Sequence, residues 1–142
     1  MSNFWLFKTE PRSYSYDQLE RDGSAVWDGV RNNLALMHLR AMKSSDRVMI
    51  YHSGAVKEIV GLARLTSKAY PDPKLTDPKL VVVDLSPIGR LPKPIPLAEV
   101  KGEPALQDLA LVRMTRLSVM PVTAAQWERL LAMSGSTQAK PA

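Results

Sequence analysis

The chain has 142 residues, 45% apolar and 23% charged, the profile of one soluble globular domain with enough apolar content for a single core. It has no cysteine, which excludes disulfides, thiol nucleophiles and cysteine-held zinc, and its two histidines, His38 and His52, argue against a histidine metal site. The net charge of +5 points to a polyanionic partner held by counterion release, although the cations are scattered along the sequence.

In chain order, Asn3 to Thr9 carries the apolar run Phe4-Trp5-Leu6-Phe7 and reads as a first strand, ended by Glu10-Pro11. Lys8 and Glu10 interrupt this segment, so it does not read as a signal peptide, and no 18-residue apolar run exists. The expected location is the cytoplasm, or the nucleus in an organism that has one, with no membrane. Ser15 and Gln18 have capping-box spacing, and Tyr14 and Leu19 have the spacing of a hydrophobic staple. A short helix is therefore expected from Ser15 to Arg21, stopping at Gly23.

The run Trp27 to Asn32 is expected in a loop, followed by a helix from Arg31 to Met42 whose apolar positions Leu34, Ala35, Met37, His38, Leu39, Ala41 and Met42 include the spacings of a buried face. Ser44-Ser45-Asp46 should turn the chain into a buried strand over Arg47 to Tyr51, and a longer strand is expected over Ile59 to Tyr70. Pro71, Pro73 and Pro78 mark a loop before a strand over Lys79 to Leu85, and Pro87 to Pro96 reads as an extended connector. Short helical turns are expected over Leu97 to Val100 and Ala105 to Leu111, then a strand over Arg116 to Val119. A second capping box, Thr123 with Gln126, starts a last helix ending near Met133, and Ser134 to Ala142 is expected to be a disordered tail. About five or six strands with short helices inserted give an α+β class, a small curved sheet or barrel.

Four constellations carry chemistry, each with a bland reading beside it. Trp27 could stack a planar base, Gly29 admit backbone close to it, Arg31 hold a phosphate and Asn32 read a base edge. The bland reading makes Trp27 core, Asp28-Gly29 a turn and Asn32 a helix start. Glu10, beside Thr9 at the first strand's end, is either an acceptor for an exocyclic amine or a surface charge. Tyr51-His52-Ser53 leaves a buried strand either into a pocket mouth or onto the surface. Arg113 and Arg116 with Ser118 could grip phosphates or solubilise an edge strand. Hydrolytic motifs are lacking, and no spacing brings Glu10 and His52 into an acid–base couple.

Taken in order, these stretches resemble the EVE domain family. They are Trp5-Leu6-Phe7-Lys8-Thr9-Glu10-Pro11, Trp27-Asp28-Gly29-Val30-Arg31-Asn32, Tyr51-His52-Ser53, Tyr70-Pro71-Asp72-Pro73 and Arg116-Leu117-Ser118-Val119. The resemblance runs from Asn3 to about Met133, so a single domain over 1–133 is expected. It implies a PUA-like curved sheet or barrel, related to the YTH and ASCH domains, which hold a nucleic-acid base in a partly aromatic pocket.

The implied function is binding of a modified base, a methylated or hydroxymethylated cytosine or a methylated adenine, in DNA or RNA. The expected module is a monomer without cofactor, metal or catalysis. The alternatives are a small nucleic-acid-processing enzyme and a metabolite-binding accessory protein. Carried over, Trp27 resembles the stacking wall and Asn32 and Ser53 the edge readers, with Thr9, Glu10, Tyr51 and His52 lining the pocket. Gly29, Val30 and Leu117 belong to the same stretches, and Arg31, Arg116 and Ser118 are implied to lie near the ligand or its phosphates. Two positions depart from the family pattern. Ser45 stands where glycine is usual before the aspartate of a turn, and the loop Gly54 to Glu58 is compact and proline-free.

Overall fold

The first strand is apolar on both faces, and the fold covers it from both sides. A computed structural model describes residues 3–135. In it, β1 (Phe4–Thr9) buries Trp5, Leu6 and Phe7 in succession. It pairs in parallel with β3 (Arg47–His52) through six residue pairs, and antiparallel with β7 (Val119–Val122) on its other side. A parallel pair needs a crossover connection. Here it consists of α1 (Tyr16–Asp22), β2 (Ala25–Trp27) and α2 (Asn33–Ala41). Trp5 tilts onto His38 of α2, whereas Phe4 stacks on Trp127 of α5 (Ala124–Met133) at 4.7 Å, so the two helices cover opposite faces.

The remaining strands are β4 (Glu58–Leu65), the two-residue β5 (Tyr70–Pro71) and β6 (Val81–Pro96). After β6 come α3 (Leu97–Lys101), a 3-10 turn (Pro104–Leu106) and α4 (Ala110–Arg113). The sheet order is β2-β6-β4-β3-β1-β7, with β5 hung on β6. The sheet curls strongly, because Trp27 of β2 touches Phe7 of β1 with ring centroids 5.3 Å apart although three strands separate them. The α+β class and curved sheet expected from the sequence are what the chain forms. Both capping boxes form with reciprocal bonds, at Ser15–Gln18 and Thr123–Gln126. Among the described residues, no helix is long and apolar enough to cross a membrane.

Four elements differ from expectation. Ala25 to Trp27 is a strand, paired antiparallel to Val83–Leu85, so that Trp27 ends a strand where it was expected to open a loop. The second strand of the central hairpin stops at Leu65 instead of Tyr70. Thr66 N still donates to Asp84 O, but Ser67 Oγ, not a backbone carbonyl, accepts from Asp84 N, and the chain pairs with β6 again only at Tyr70–Pro71. The proline-rich connector over Pro87 to Pro96 is the second half of β6. Its prolines are accommodated because Pro92 and Pro94 fall where β6 inserts extra residues between Arg90↔Gly61 and Ile95↔Ile59. The last strand begins at Val119 instead of Arg116, and as an edge strand it accepts Pro121. Ser134 caps the end of α5, its hydroxyl donating to Leu131 O at 2.6 Å. The rest of the expected tail, residues 136–142, lies outside the described residues.

The turn before β3 holds the family departure. Ser45 sits at φ 81°, in the left-handed region where glycine is unstrained, and its amide donates to Leu65 O at 2.8 Å. Beside it, buried Asp46 accepts from Asn3 N, Trp5 Nε1 and Lys43 N, each at 3.0 Å, so the turn is fixed from three sides. Because the turn cannot relax, replacing the serine removes strain without losing a contact. Ser45→Gly is expected to raise the unfolding free energy by about 1 kcal/mol in urea titration.

Candidate functional site

The end of β1, the loop into α1 and the segment from Ser24 to Val30 face one another across a cavity of about 600 Å³. This lies within the range of small-ligand pockets. One wall carries Lys8, Thr9, Glu10, Ser13 and Tyr14; the other is β2 and the turn after it, and Ser118 closes an end. Every residue from Ser24 to Val30 contributes, as expected when the free edge of an end strand, and not one of its faces, forms the wall.

Trp27 holds its ring in place through two neighbours. It packs against Phe7 and receives Tyr14 edge-on at 6.1 Å, leaving 9% of its surface exposed. Tyr14 Oη in turn donates to Asp22 Oδ2 at 2.8 Å, and burial together with that carboxylate pushes the phenol up to about 12. Thr9 Oγ1 donates to Tyr14 O at 2.7 Å, which ties the loop to the strand. Gly29 adopts φ 78° with open space around it, so the backbone turns there beside the cavity with no side chain in the way.

The cavity's charge is opposite to that of the chain. Glu10, Asp22 and Asp28 contribute three carboxylates to the lining, against one ammonium, that of Lys8. Lys8 Nζ donates to Thr115 O at 2.9 Å, and burial holds its pKa below the usual lysine value. Such a lining accepts hydrogen bonds from amino and ring N–H groups and repels phosphate. Cations lie outside it. Arg12, Arg31 and Arg116 are exposed and each stands within two residues of a lining position. Among the described residues, none of their guanidinium groups has an ion-pair or hydrogen-bond partner.

Of the residues singled out from sequence, Thr9, Glu10, Trp27, Gly29, Val30 and Ser118 converge on this cavity. The others stand outside its lining. Asn32 caps α2, its Oδ1 accepting from Ala35 N at 3.0 Å. Tyr51 and Leu117 are buried in the core, at 4% exposure each. His52 is buried, and its Nε2 accepts the Tyr16 amide hydrogen at 3.0 Å, while Ser53 N donates to Thr9 O. Arg31 and Arg116 lie at the surface. Sequence reasoning missed Ser13, Tyr14, Asp22 and Ser24 as lining residues. Lys8 and Asp28 stood inside the quoted runs and could have been taken from there; for Asp22 and Ser24 no sequence signal existed.

Tyr16 anchors the wall from behind. It has no exposed surface, its hydroxyl donates to Leu62 O at 2.6 Å, and its ring lies on β4 with the Arg90 guanidinium 5.5 Å from the centroid. Arg90 also pairs with Asp17 and Glu20 of α1.

The fold and cavity together define a class: a PUA-like α+β domain whose curled sheet opens on an aromatic-walled cavity. The same fold is found in an ASCH protein of Zymomonas mobilis at a TM-score of 0.59 and 11% identity, covering 92% of this chain and 95% of that one. The EVE domain family model matches residues 3–133, and the chain belongs to the EVE domain family. It is similar to thymocyte nuclear protein 1 of Mus musculus, 34% identical with 94% of this chain and 74% of that protein covered. It is also similar to a protein of Rhodopseudomonas palustris solved by NMR, at 45% identity, a TM-score of 0.89 and coverage of 94% and 93%. The human THYN1 protein, solved in complex with 5-methylcytosine-containing DNA, matches at 30% identity and a TM-score of 0.85, with 99% and 100% covered.

Gly61 leaves the space Tyr16 occupies, since a Cβ there would lie 2.5 Å from two ring carbons. Gly61→Ala is expected to lower stability by about 1–3 kcal/mol in urea titration and to shift the Tyr16 amide resonance.

Proposed function

We propose that this chain is a nucleic-acid base-binding module that takes a modified base into the cavity between β1 and β2, without catalysing its conversion. One observation carries the reading. A tryptophan-walled, carboxylate-lined cavity lies in a chain 30% identical over 99% of its length to a protein solved with 5-methylcytosine-containing DNA. Trp27 supplies aromatic surface at the cavity wall, and base stacking contributes about 1–3 kcal/mol per base in single-strand binders. Glu10 and Asp28 are suited to accept from the exocyclic amine of a cytosine or adenine, and Thr9 and Ser118 to bond the remaining edge.

The phosphates stay outside. Arg12, Arg31 and Arg116 supply positive charge around the mouth, and phosphate contacts there set affinity without reading sequence. A base in a duplex must leave the stack first, at a cost of a few kcal/mol, which is smallest where the duplex is already weakened. The preferred ligands are methylated or hydroxymethylated cytosine and methylated adenine, in DNA or RNA, bound by a monomer. Such a module works where nucleic acid is, in the cytoplasm or, in a nucleated cell, the nucleus. A binding role instead of turnover is supported by His52, whose Nε2 is engaged by the Tyr16 amide instead of facing Glu10.

The test compares oligonucleotides with modified and plain bases. Trp27→Phe, which keeps an aromatic ring on Phe7, is expected to fold and to bind the modified base about 3- to 10-fold more weakly, and Trp27→Ala about 10- to 100-fold. Affinity of both proteins for the modified and plain oligonucleotides equal to wild type would sink the pocket reading.

A further inference from the structure

His52 does not line the cavity, yet it governs one wall of it. The imidazole is buried at the end of β3, with 8% of the residue exposed, and its Nε2 accepts the amide hydrogen of Tyr16, the first residue of α1. An amide nitrogen can only donate, so this ring nitrogen must be unprotonated for the bond to exist. The Ser15–Gln18 capping box satisfies the Ser15 and Gln18 amides, and the Tyr16 amide donates to His52.

The consequences reach the cavity along α1. Tyr14, two residues before Tyr16, faces the cavity and Trp27; Asp22, the last residue of α1, faces it from the other end. The Tyr14 Oη to Asp22 bond joins the two. A shift of the first turn of α1 therefore moves both lining groups and loosens the edge contact that fixes the Trp27 ring.

We propose that His52 is a positioning residue that holds the cavity wall through the Tyr16 amide while uncharged, and that its protonation releases the wall and weakens base binding. The inference rests on the base-binding reading given above. A protonated ring would set an Nε2–H against the Tyr16 N–H, two donors face to face. The charged groups around it act in both directions. Burial and the Arg90 guanidinium of β6 hold the imidazole below its ordinary pKa, against Asp17 of α1, Glu10 of the β1–α1 loop and Glu58 of β4, which favour the charged ring. The phenol of Tyr16, pushed up to about 12, stays neutral throughout. The sign follows from linkage. The contribution is complete above the ordinary histidine value near 6.5 and is lost as pH falls through the lower, folded-state value.

The experiment measures binding of a 5-methylcytosine oligonucleotide from pH 8 to pH 5 by fluorescence anisotropy, for the full chain and two variants. In parallel, the His52 ring and Tyr16 amide resonances of the free protein are titrated by NMR. Wild type is expected to lose about tenfold or more in affinity as pH falls through the folded-state value of His52, below the ordinary 6.5, with the Tyr16 amide moving at the same midpoint as His52. His52→Gln, whose Oε1 can accept from Tyr16 without titrating, is expected to bind at pH 8 and to show a flattened profile. His38→Gln, on α2 against Trp5, keeps the wild-type profile. A His52→Gln profile as steep as wild type overturns the proposal, as does a Tyr16 amide that ignores His52 titration. The NMR arm needs no ligand, so failure of the base-binding reading and failure of this one are distinguished.

Discussion

The contact between Phe7 and Trp27 is the constraint on which the rest of this molecule depends. Their strands are the fifth and the first in the sheet, four inter-strand steps apart. In a flat sheet those strands would lie about 19 Å apart. Ring centroids at 5.3 Å require the sheet to curl until β2 comes round to the end of β1. The bends that allow the curl are visible in the ladder, at the register shifts between β3 and β4 and between β4 and β6. The cavity is what remains between the two strands once the rings have met, so the feature that closes the core also builds the wall of the site.

Charge is divided in the same way. The chain as a whole is basic, at +5, yet the charged residues that line the cavity are mostly carboxylates. The exposed Arg12, Arg31 and Arg116 lie outside the lining, each within two residues of a lining position. For the proposed base-binding function, such a division would leave phosphate to the cations outside the lining and give the base the acceptors inside. Helix α1 keeps the arrangement in place. Tyr16 binds it to β4, Arg90 binds it to β6 through Asp17 and Glu20, and the cavity is lined by Tyr14, two residues before it, and by its last residue, Asp22.

Much of this was legible in the sequence, where local chemistry decides the outcome. Both capping boxes, the apolar run of β1 and the strand entering at Arg47 follow from residues close together, and all formed. The errors lie where tertiary context overrides local signals. Proline normally stops a strand, but β6 carries Pro92 and Pro94 through a bulge and continues. Three residues, Ala25 to Trp27, are too few to announce a strand, and only pairing with β6 makes them one. The site divides similarly. Thr9, Glu10, Trp27, Gly29, Val30 and Ser118 meet at the cavity, because their runs sit at strand ends that the curl brings together. Asn32 caps a helix and Tyr51 fills the core, roles that the same residue types play equally well and that sequence alone cannot separate. His52 stands outside the lining, its ring turned toward α1 to accept the Tyr16 amide hydrogen.

The most direct measurement is a map of amide and Trp27 indole resonances during titration with a 5-methylcytosine oligonucleotide. The account predicts the largest shifts at Thr9 and Glu10, at Ser13 and Tyr14, through Ser24 to Val30, and at Ser118, with smaller salt-sensitive shifts near Arg12, Arg31 and Arg116. Shifts gathered on the opposite face, around Trp127 and α5, with the Trp27 indole unmoved, would contradict it.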